Sequence, residues 1–271
     1  MPNELVTDSI WLHASGLPAE AAGLMSTRAG GVSLGPWASL NLRPPGLRGD
    51  NLDVPESIWR NQQRFAAALG GAKPVYLDQV HGTRVVHLRA GETPVDAQGR
   101  STEFWQADAS ITTERGLACT VLVADCLPVL FSAPQGRAVG AAHAGWRGLA
   151  GGVLQATLAA LCEAAGCKPS EVTTWLGACI GPQRFEVGDE VRIAFGAEPG
   201  DPCFRSVATP EGLPPKWWAD LPGLARRRLR AAGVQQIGGG QWCTASDAVR
   251  FYSYRRDTGV TGRHAAAIWR R

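Results

Sequence analysis

Long apolar runs without polar alternation occupy the middle of the chain. "LACTVLVAD", "LPVLF" and "RAVGAAHA" follow one another with Asp125 and Cys126 breaking the first two apart, a pattern that predicts successive strands buried on both faces. "VTTWLGACI", "RFYSYRR" and "HAAAIW" predict further strands, and "KPVYLDQVHGTRVVHL" predicts two strands around a His-Gly turn. Helical spacing takes over in "DVPESIWRNQQRFAAALGG", where Ile58, Phe65 and Leu69 share one face. Asp53 reads there as the N-cap, Pro55 lies in the first turn, Glu56 stands three residues past the cap, and Gly70 ends the helix. "GLAGGVLQATLAALCEAAG" predicts one helix with Val153, Leu154, Leu158 and Leu161 turned inward, and "GDEVRIAFG" and "WWADLPGLARRRLRAAG" predict two more. Pro, Gly and polar residues cluster in "AGETPVDAQGRSTEFWQ" and "EPGDPCFRSVATPEGLPPK". Both segments read as flexible rather than as linkers, because strands resume on either side.

The chain has 271 residues, enough to bury a core without metals or disulfides, and residues 1–271 are expected to form a single domain. No stretch approaches the eighteen or so consecutive apolar residues of a membrane span, and the N-terminus lacks a basic segment followed by an apolar one. The expectation is a cytoplasmic protein without a membrane partner. Seven cysteines, an odd number without tight spacings, read as reduced thiols. From Leu221 onward ten arginines face only Asp247 and Asp257. That imbalance raises nucleic acid as a partner, yet "ARRRLRAAG" fits the solvated face of a helix that turns Leu221, Leu224 and Leu229 inward, so nucleic acid is not expected.

Of the five histidines, His13 and His264 read as structural and His87 as facing the polar side of a strand. His81 and His143 differ, because each ends a predicted strand close to a glycine, where a side chain can project into a cleft. Cys126 holds the same kind of position. The three are too far apart in sequence for a zinc-knuckle motif. Brought together by the fold, two imidazoles and a thiolate would bind zinc and leave a fourth position open, as catalytic sites do; unrelated core residues are the other reading.

"STRAGGVS", "SLNL", "QVHG", "ADCLPVLF", "AAHAGWRG", "GACIGP", "FEVG" and "SYRRD", in this order, closely resemble the family variously called YfiH-like, laccase-domain, polyphenol oxidase or peptidoglycan editing factor. The resemblance runs from about Gly23 to Trp269. It implies an α+β fold, layered α/β/β/α with mixed sheets, and a zinc site of His81, Cys126 and His143, residues that are also the catalytic candidates. A multicopper oxidase needs about ten histidines, with paired His-x-His strands, and the five here do not suffice for copper laccase chemistry.

Two reactions accompany the resemblance. The first is purine nucleoside phosphorylase chemistry on adenosine, inosine, guanosine or methylthioadenosine, with adenosine deaminase activity beside it; purine nucleoside and phosphate are then the small-molecule partners. The alternative is an amidase that edits cell-wall (peptidoglycan) precursors, using zinc or a Cys126/His143 nucleophile pair with backbone N–H groups near Gly145 as an oxyanion hole. A protein acting mainly through protein partners is a third reading, which the ten tryptophans and the arginine-rich C-terminus could serve without giving a specific signal. For phosphate, Arg28 beside a glycine-rich turn and Arg147 ahead of a helix opened by Gly148 are the anion-binding candidates. Asn41 and Gln79 are candidates to hydrogen-bond sugar or base, and Arg255 to wall the pocket. Asp125 is not a candidate acid or base, since strand alternation turns it away from Cys126.

Overall fold

Strands that are apolar on both faces need cover on both faces, and two stacked sheets between helices provide it. The computed structural model describes residues 10–47, 53–198 and 200–271. One sheet has five strands in the order Trp11–His13, Ala21–Ser26, His264–Arg270, Leu117–Val123, Lys73–Val75. Its pairings are antiparallel except the last. The other has six, in the order Gln236–Gly239, Thr173–Leu176, Leu127–Ser132, Val139–Ala144, Ala109–Thr112, Val85–His87. Here the inner pairings are antiparallel and the two outer ones parallel.

Met25, Val121, Val123 and Ile268 of the first sheet meet Leu130, Val139, Ala141 and Trp175 of the second in a buried layer between them. The helix Pro55–Ala68 covers the outer face of the five-stranded sheet, packing Phe65 and the adjoining Leu69 against Leu24, Leu122 and Ala265. Truncating Phe65, fully buried, would cost about 3–5 kcal/mol. Val153–Ala165 and Leu221–Ala231 cover the six-stranded sheet through Val153, Leu154, Leu158, Leu161, Leu221, Leu224 and Leu229. The layers therefore run α/β/β/α, as the resemblance implied. Among the described residues, no helix is long and apolar enough to cross a membrane.

Several local readings change. The first helix begins at Val54 as N-cap, because Asp53 is spent elsewhere: its carboxylate accepts from Ser33 Oγ at 2.7 Å and Asn41 Nδ2 at 2.8 Å. Glu56 pairs with Arg60 instead of closing a capping box. The helix expected from Gly148 is two helices, Trp146–Gly151 and Val153–Ala165, separated by Gly152 at φ +100°. Apolar spacing continues across that break and hid it; only glycine takes this conformation without strain. "KWWA" is a strand, Lys216–Ala219, and the helix behind it starts at Asp220, whose side chain accepts from the Gly223 N–H at 2.9 Å. That strand pairs with Phe204–Val207, so the segment read as flexible carries regular structure. "RFYSYRR" forms no strand; it is irregular backbone fastened by hydrogen bonds to Asp125 and Asp257. The His-Gly turn joins no hairpin, since Lys73–Val75 and Val85–His87 belong to different sheets.

Candidate metal centre

Two chain crossings between the sheets create the site. After Leu117–Val123 the chain leaves the five-stranded sheet through Ala124, Asp125 and Cys126 and enters the other as Leu127–Ser132. Asp125 makes this corner at φ +90°, a strained conformation for a residue with a side chain. Three hydrogen bonds secure it: Thr244 Oγ1 at 2.6 Å, Ser253 Oγ at 3.0 Å and the Arg255 N–H at 2.7 Å all donate to its carboxylate. Asp125 is therefore a cornerstone that points Cys126 outward. The second crossing passes through His81, also at positive φ, +61°.

Asp108, fully buried, holds that turn. Its Oδ1 accepts the His81 N–H at 2.8 Å, and its Oδ2 accepts the N–H groups of Gly82 at 2.7 Å and Val80 at 3.2 Å. The same Oδ1 lies 2.8 Å from His143 Nδ1. One carboxylate thus orients both histidines and fixes the His143 proton on Nδ1, leaving Nε2 as the free donor atom. Cys126 Sγ is 3.8 Å from His81 Nε2, and the His81 and His143 rings meet edge to face with centroids 4.8 Å apart. One ligand atom from each of His81, Cys126 and His143 lies within 4.8 Å of the others, so the three could hold a metal ion.

The small residues around His143 are explained by the same contacts. A Cβ on Gly145 would sit 2.7 Å from His81 Cδ2 and 3.1 Å from Cys126 Sγ, and one on Gly148 would sit 2.8 Å from the Gly82 carbonyl. The "HAGWRG" glycines let the helix start pass directly beneath the His81 turn.

Charge is redistributed within the cluster. Burial alone would raise the Cys126 thiol, but the charge and hydrogen bond of His143, helped by His81, bring it down to about 6. Burial opposes the His143 cation, yet the Cys126 thiolate and the Asp108 carboxylate carry it up to about 9. Burial likewise opposes the Asp108 anion, and His143 with the N–H groups of Gly82 and Val80 overcomes this, holding the carboxyl below its usual range. Without metal, the cluster at neutral pH is a thiolate beside an imidazolium.

The cluster forms one wall of a cavity of about 490 Å³, a size that suits a small-molecule ligand. Gln79 lies on the wall, but its amide is committed: Nε2 donates to the Leu122 carbonyl at 2.8 Å and Oε1 accepts the Leu122 N–H at 2.7 Å. Arg255 lines the rim, donating to the Glu186 carbonyl at 2.8 Å and stacking on Phe185. The other three candidates stand outside the cavity lining. Arg28 clamps the fold through the carbonyls of Ala38 at 2.9 Å and Ala248 at 3.0 Å and stacks on Tyr252, away from the cavity lining. Arg147 lies inside the helix that begins at Trp146, exposed and stacked on the Trp146 ring. Asn41 is fully buried and binds backbone and Asp53.

Sequence reasoning missed Asp108, Arg43 and Arg263. Arg43 and Arg263 line the cavity with Tyr254 and Trp146. Asp108 did carry a signal, a lone carboxylate between small apolar residues in "WQADASIT". A buried carboxylate of that kind requires partners.

Paired mixed sheets with a histidine–cysteine–histidine cluster at a cavity wall define a class of α+β protein whose three clustered side chains could hold a metal ion. The chain belongs to the family described as multi-copper polyphenol oxidoreductase laccase, which residues 22–271 match. It is 44% identical over 252 residues to a purine nucleoside phosphorylase of Pseudomonas aeruginosa, covering 93% of this chain and 94% of that one. It is also 44% identical to the purine nucleoside phosphorylase YfiH of Escherichia coli, covering 93% and 95%. Among solved structures, a Neisseria meningitidis protein of family DUF152 superposes with a TM-score of 0.82 at 40% identity, covering 97% of this chain and 99% of that one. YlmD of Geobacillus stearothermophilus gives 0.81 at 32% identity, covering 97% of each.

Proposed function

We propose that the protein is a zinc-dependent purine nucleoside phosphorylase acting on adenosine, inosine, guanosine and methylthioadenosine, with hydrolytic deamination of adenosine as a second activity. The observation that carries this reading is the convergence of His81, Cys126 and His143 on one cavity wall in a chain so similar to proteins named for that activity. Two imidazoles and a thiolate suit zinc, and three protein ligands leave a position for substrate or water. Bound there, zinc would supply Lewis-acid polarisation of a substrate oxygen or nitrogen.

The chain's own residues do the rest. Asp108 keeps the proton on His143 Nδ1 and the His81 turn in place, so both imidazoles present their donor atoms without reorganising. Leu122, Ile180, Phe185 and Trp146 supply apolar wall against which a purine can stack and which excludes water. In phosphorolysis a phosphate oxygen forms the bond to C1′ while the C1′–N9 bond breaks. The bonding pair leaves on the purine, and the phosphate proton ends on the base, giving free base and ribose 1-phosphate.

The test is turnover of each nucleoside by the zinc-loaded protein with and without phosphate. Base and ribose 1-phosphate should appear only when phosphate is present. Equal base release without phosphate would reject phosphorolysis, and no release from any of the four nucleosides would reject the nucleoside reading.

One observation favours a second reading. The metal-free thiolate of Cys126 beside the His143 imidazolium, itself held by Asp108, has the composition of a cysteine-hydrolase triad. It supports the amidase acting on cell-wall precursors, and an acyl adduct trapped on Cys126 would establish it.

A further inference from the structure

We propose that Arg43 and Arg263 form the phosphate subsite of this cavity, with Arg255 closing its rim; the proposal rests on the phosphorolysis reading. The two arginines lie 220 positions apart in sequence, yet the backbone fastens their segments together. The Leu42 N–H donates to the Arg263 carbonyl at 3.1 Å. Asn41 Oδ1 accepts the N–H of Arg263 at 2.9 Å and that of Arg43 at 3.3 Å, so one buried amide oxygen ties both arginines. Asp53 in turn accepts from Asn41 Nδ2 at 2.8 Å, which fixes the amide with its oxygen toward them.

Both side chains line the same cavity as His81, Cys126 and His143. Two guanidinium groups on one partly buried wall repel each other. Burial and the charge of Arg43 together hold Arg263 below its ordinary value, while Cys126 and Asp125 act on it in the opposite sense. An anion shared between the two would relieve this repulsion, and the planar guanidinium fork matches phosphate oxygens in pairs. Arg263 commits Nη1 to the carbonyls of Thr261 at 2.9 Å and Gly262 at 3.1 Å, which sets the plane of the group. Among the described residues of the wall there are three guanidinium groups and two carboxylates, Asp78 and Asp125, and the Asp125 charge is taken up by Thr244, Ser253 and the Arg255 N–H.

An anion here would share the cavity with the metal cluster, as attack of phosphate on a nucleoside bound between them requires. Arg28 and Arg147, attractive from sequence, reach neither. Asn41 is a positioning residue, acting through the two arginines.

Arg43→Met and Arg263→Met are compared with wild type and with Arg147→Ala, in the full-length zinc-loaded protein. In wild type that turns over inosine, each methionine variant should raise KM for phosphate about ten- to a hundredfold while leaving KM for inosine within about twofold. Arg43→Lys should recover part of the loss, and Arg147→Ala should change neither constant. Unchanged KM for phosphate in Arg43→Met would overturn the subsite and leave phosphorolysis standing. Phosphate binding is followed in parallel by calorimetric titration with inorganic phosphate alone. If wild type fails to turn over, saturable binding that Arg43→Met abolishes still supports the subsite, and its absence, or its survival in that variant, overturns it. The titration also covers failure of Arg263→Met to fold, since Arg43 is half-buried and its replacement leaves the backbone bonds intact.

Discussion

Replacing Asp108 with asparagine removes the charge that orients both histidines. The carboxylate accepts four hydrogen bonds, two on each oxygen: His81 N–H and His143 Nδ1–H on Oδ1, Val80 and Gly82 N–H on Oδ2. Asparagine offers one acceptor oxygen, so in either orientation its NH2 faces two donors. Each buried unsatisfied donor costs about 1–3 kcal/mol, which sums to roughly 2–6 kcal/mol. The neutral amide escapes the burial cost of a carboxylate, so the loss should fall in the lower part of that range, roughly 2–4 kcal/mol. Urea unfolding of the metal-free variant should show this as a lower midpoint at unchanged slope. With the His81 turn and the His143 tautomer no longer fixed, zinc affinity measured against a chromophoric chelator should fall on the order of 10- to 100-fold. A midpoint shift worth less than about 0.5 kcal/mol, with unchanged zinc affinity, would refute the role given to Asp108.

Zinc binding at pH 7.5 should release about one proton, from His143, because Cys126 brought down to about 6 is already a thiolate while His143 raised to about 9 is still charged. Calorimetry in buffers of different ionisation enthalpy reads that number, and release of none would contradict the charge assignment. Gly145→Ala should weaken zinc binding far more than it changes stability, since the added Cβ would press on His81 and Cys126; equal zinc affinity would show that the cluster has slack. His264 is fully buried with Nε2 accepting the Tyr252 N–H at 2.8 Å, and burial lowers it to about 3. Its folded value lies below the unfolded one, so the unfolded chain takes up a proton that the fold refuses. Stability should be full above about pH 6.5 and fall below it, by about 2 kcal/mol at pH 5 from this group. His264→Gln should remove about one proton from the slope of stability against pH in that range; an unchanged slope would refute it.

The layers and the positions of the cluster residues were legible because each rests on a local pattern. Doubly apolar runs such as "LPVLF" can only be interior strands, and Cys126 and His143 stand where such runs stop. Asp108 showed in sequence only as a lone carboxylate among small apolar residues; its role stayed hidden because its four donors come from two distant segments that nothing around it names. The pairing of Arg43 with Arg263 depends on a loop meeting the start of the last strand, a contact that only the sheet order decides. Arg28 is the opposite case: a cation beside a glycine turn reads as an anion site in sequence, and in the fold it donates to two carbonyls. The break at Gly152 escaped because apolar periodicity does not record backbone handedness.

In the proposed enzyme His81, Cys126 and His143 together hold zinc. Native mass spectrometry of gently purified wild type beside Cys126→Ala tests it most directly. About one zinc per chain is expected in wild type, with little or none in the variant. Wild type that carries no zinc and takes none up when it is added, or a Cys126→Ala variant that keeps its zinc, would contradict it.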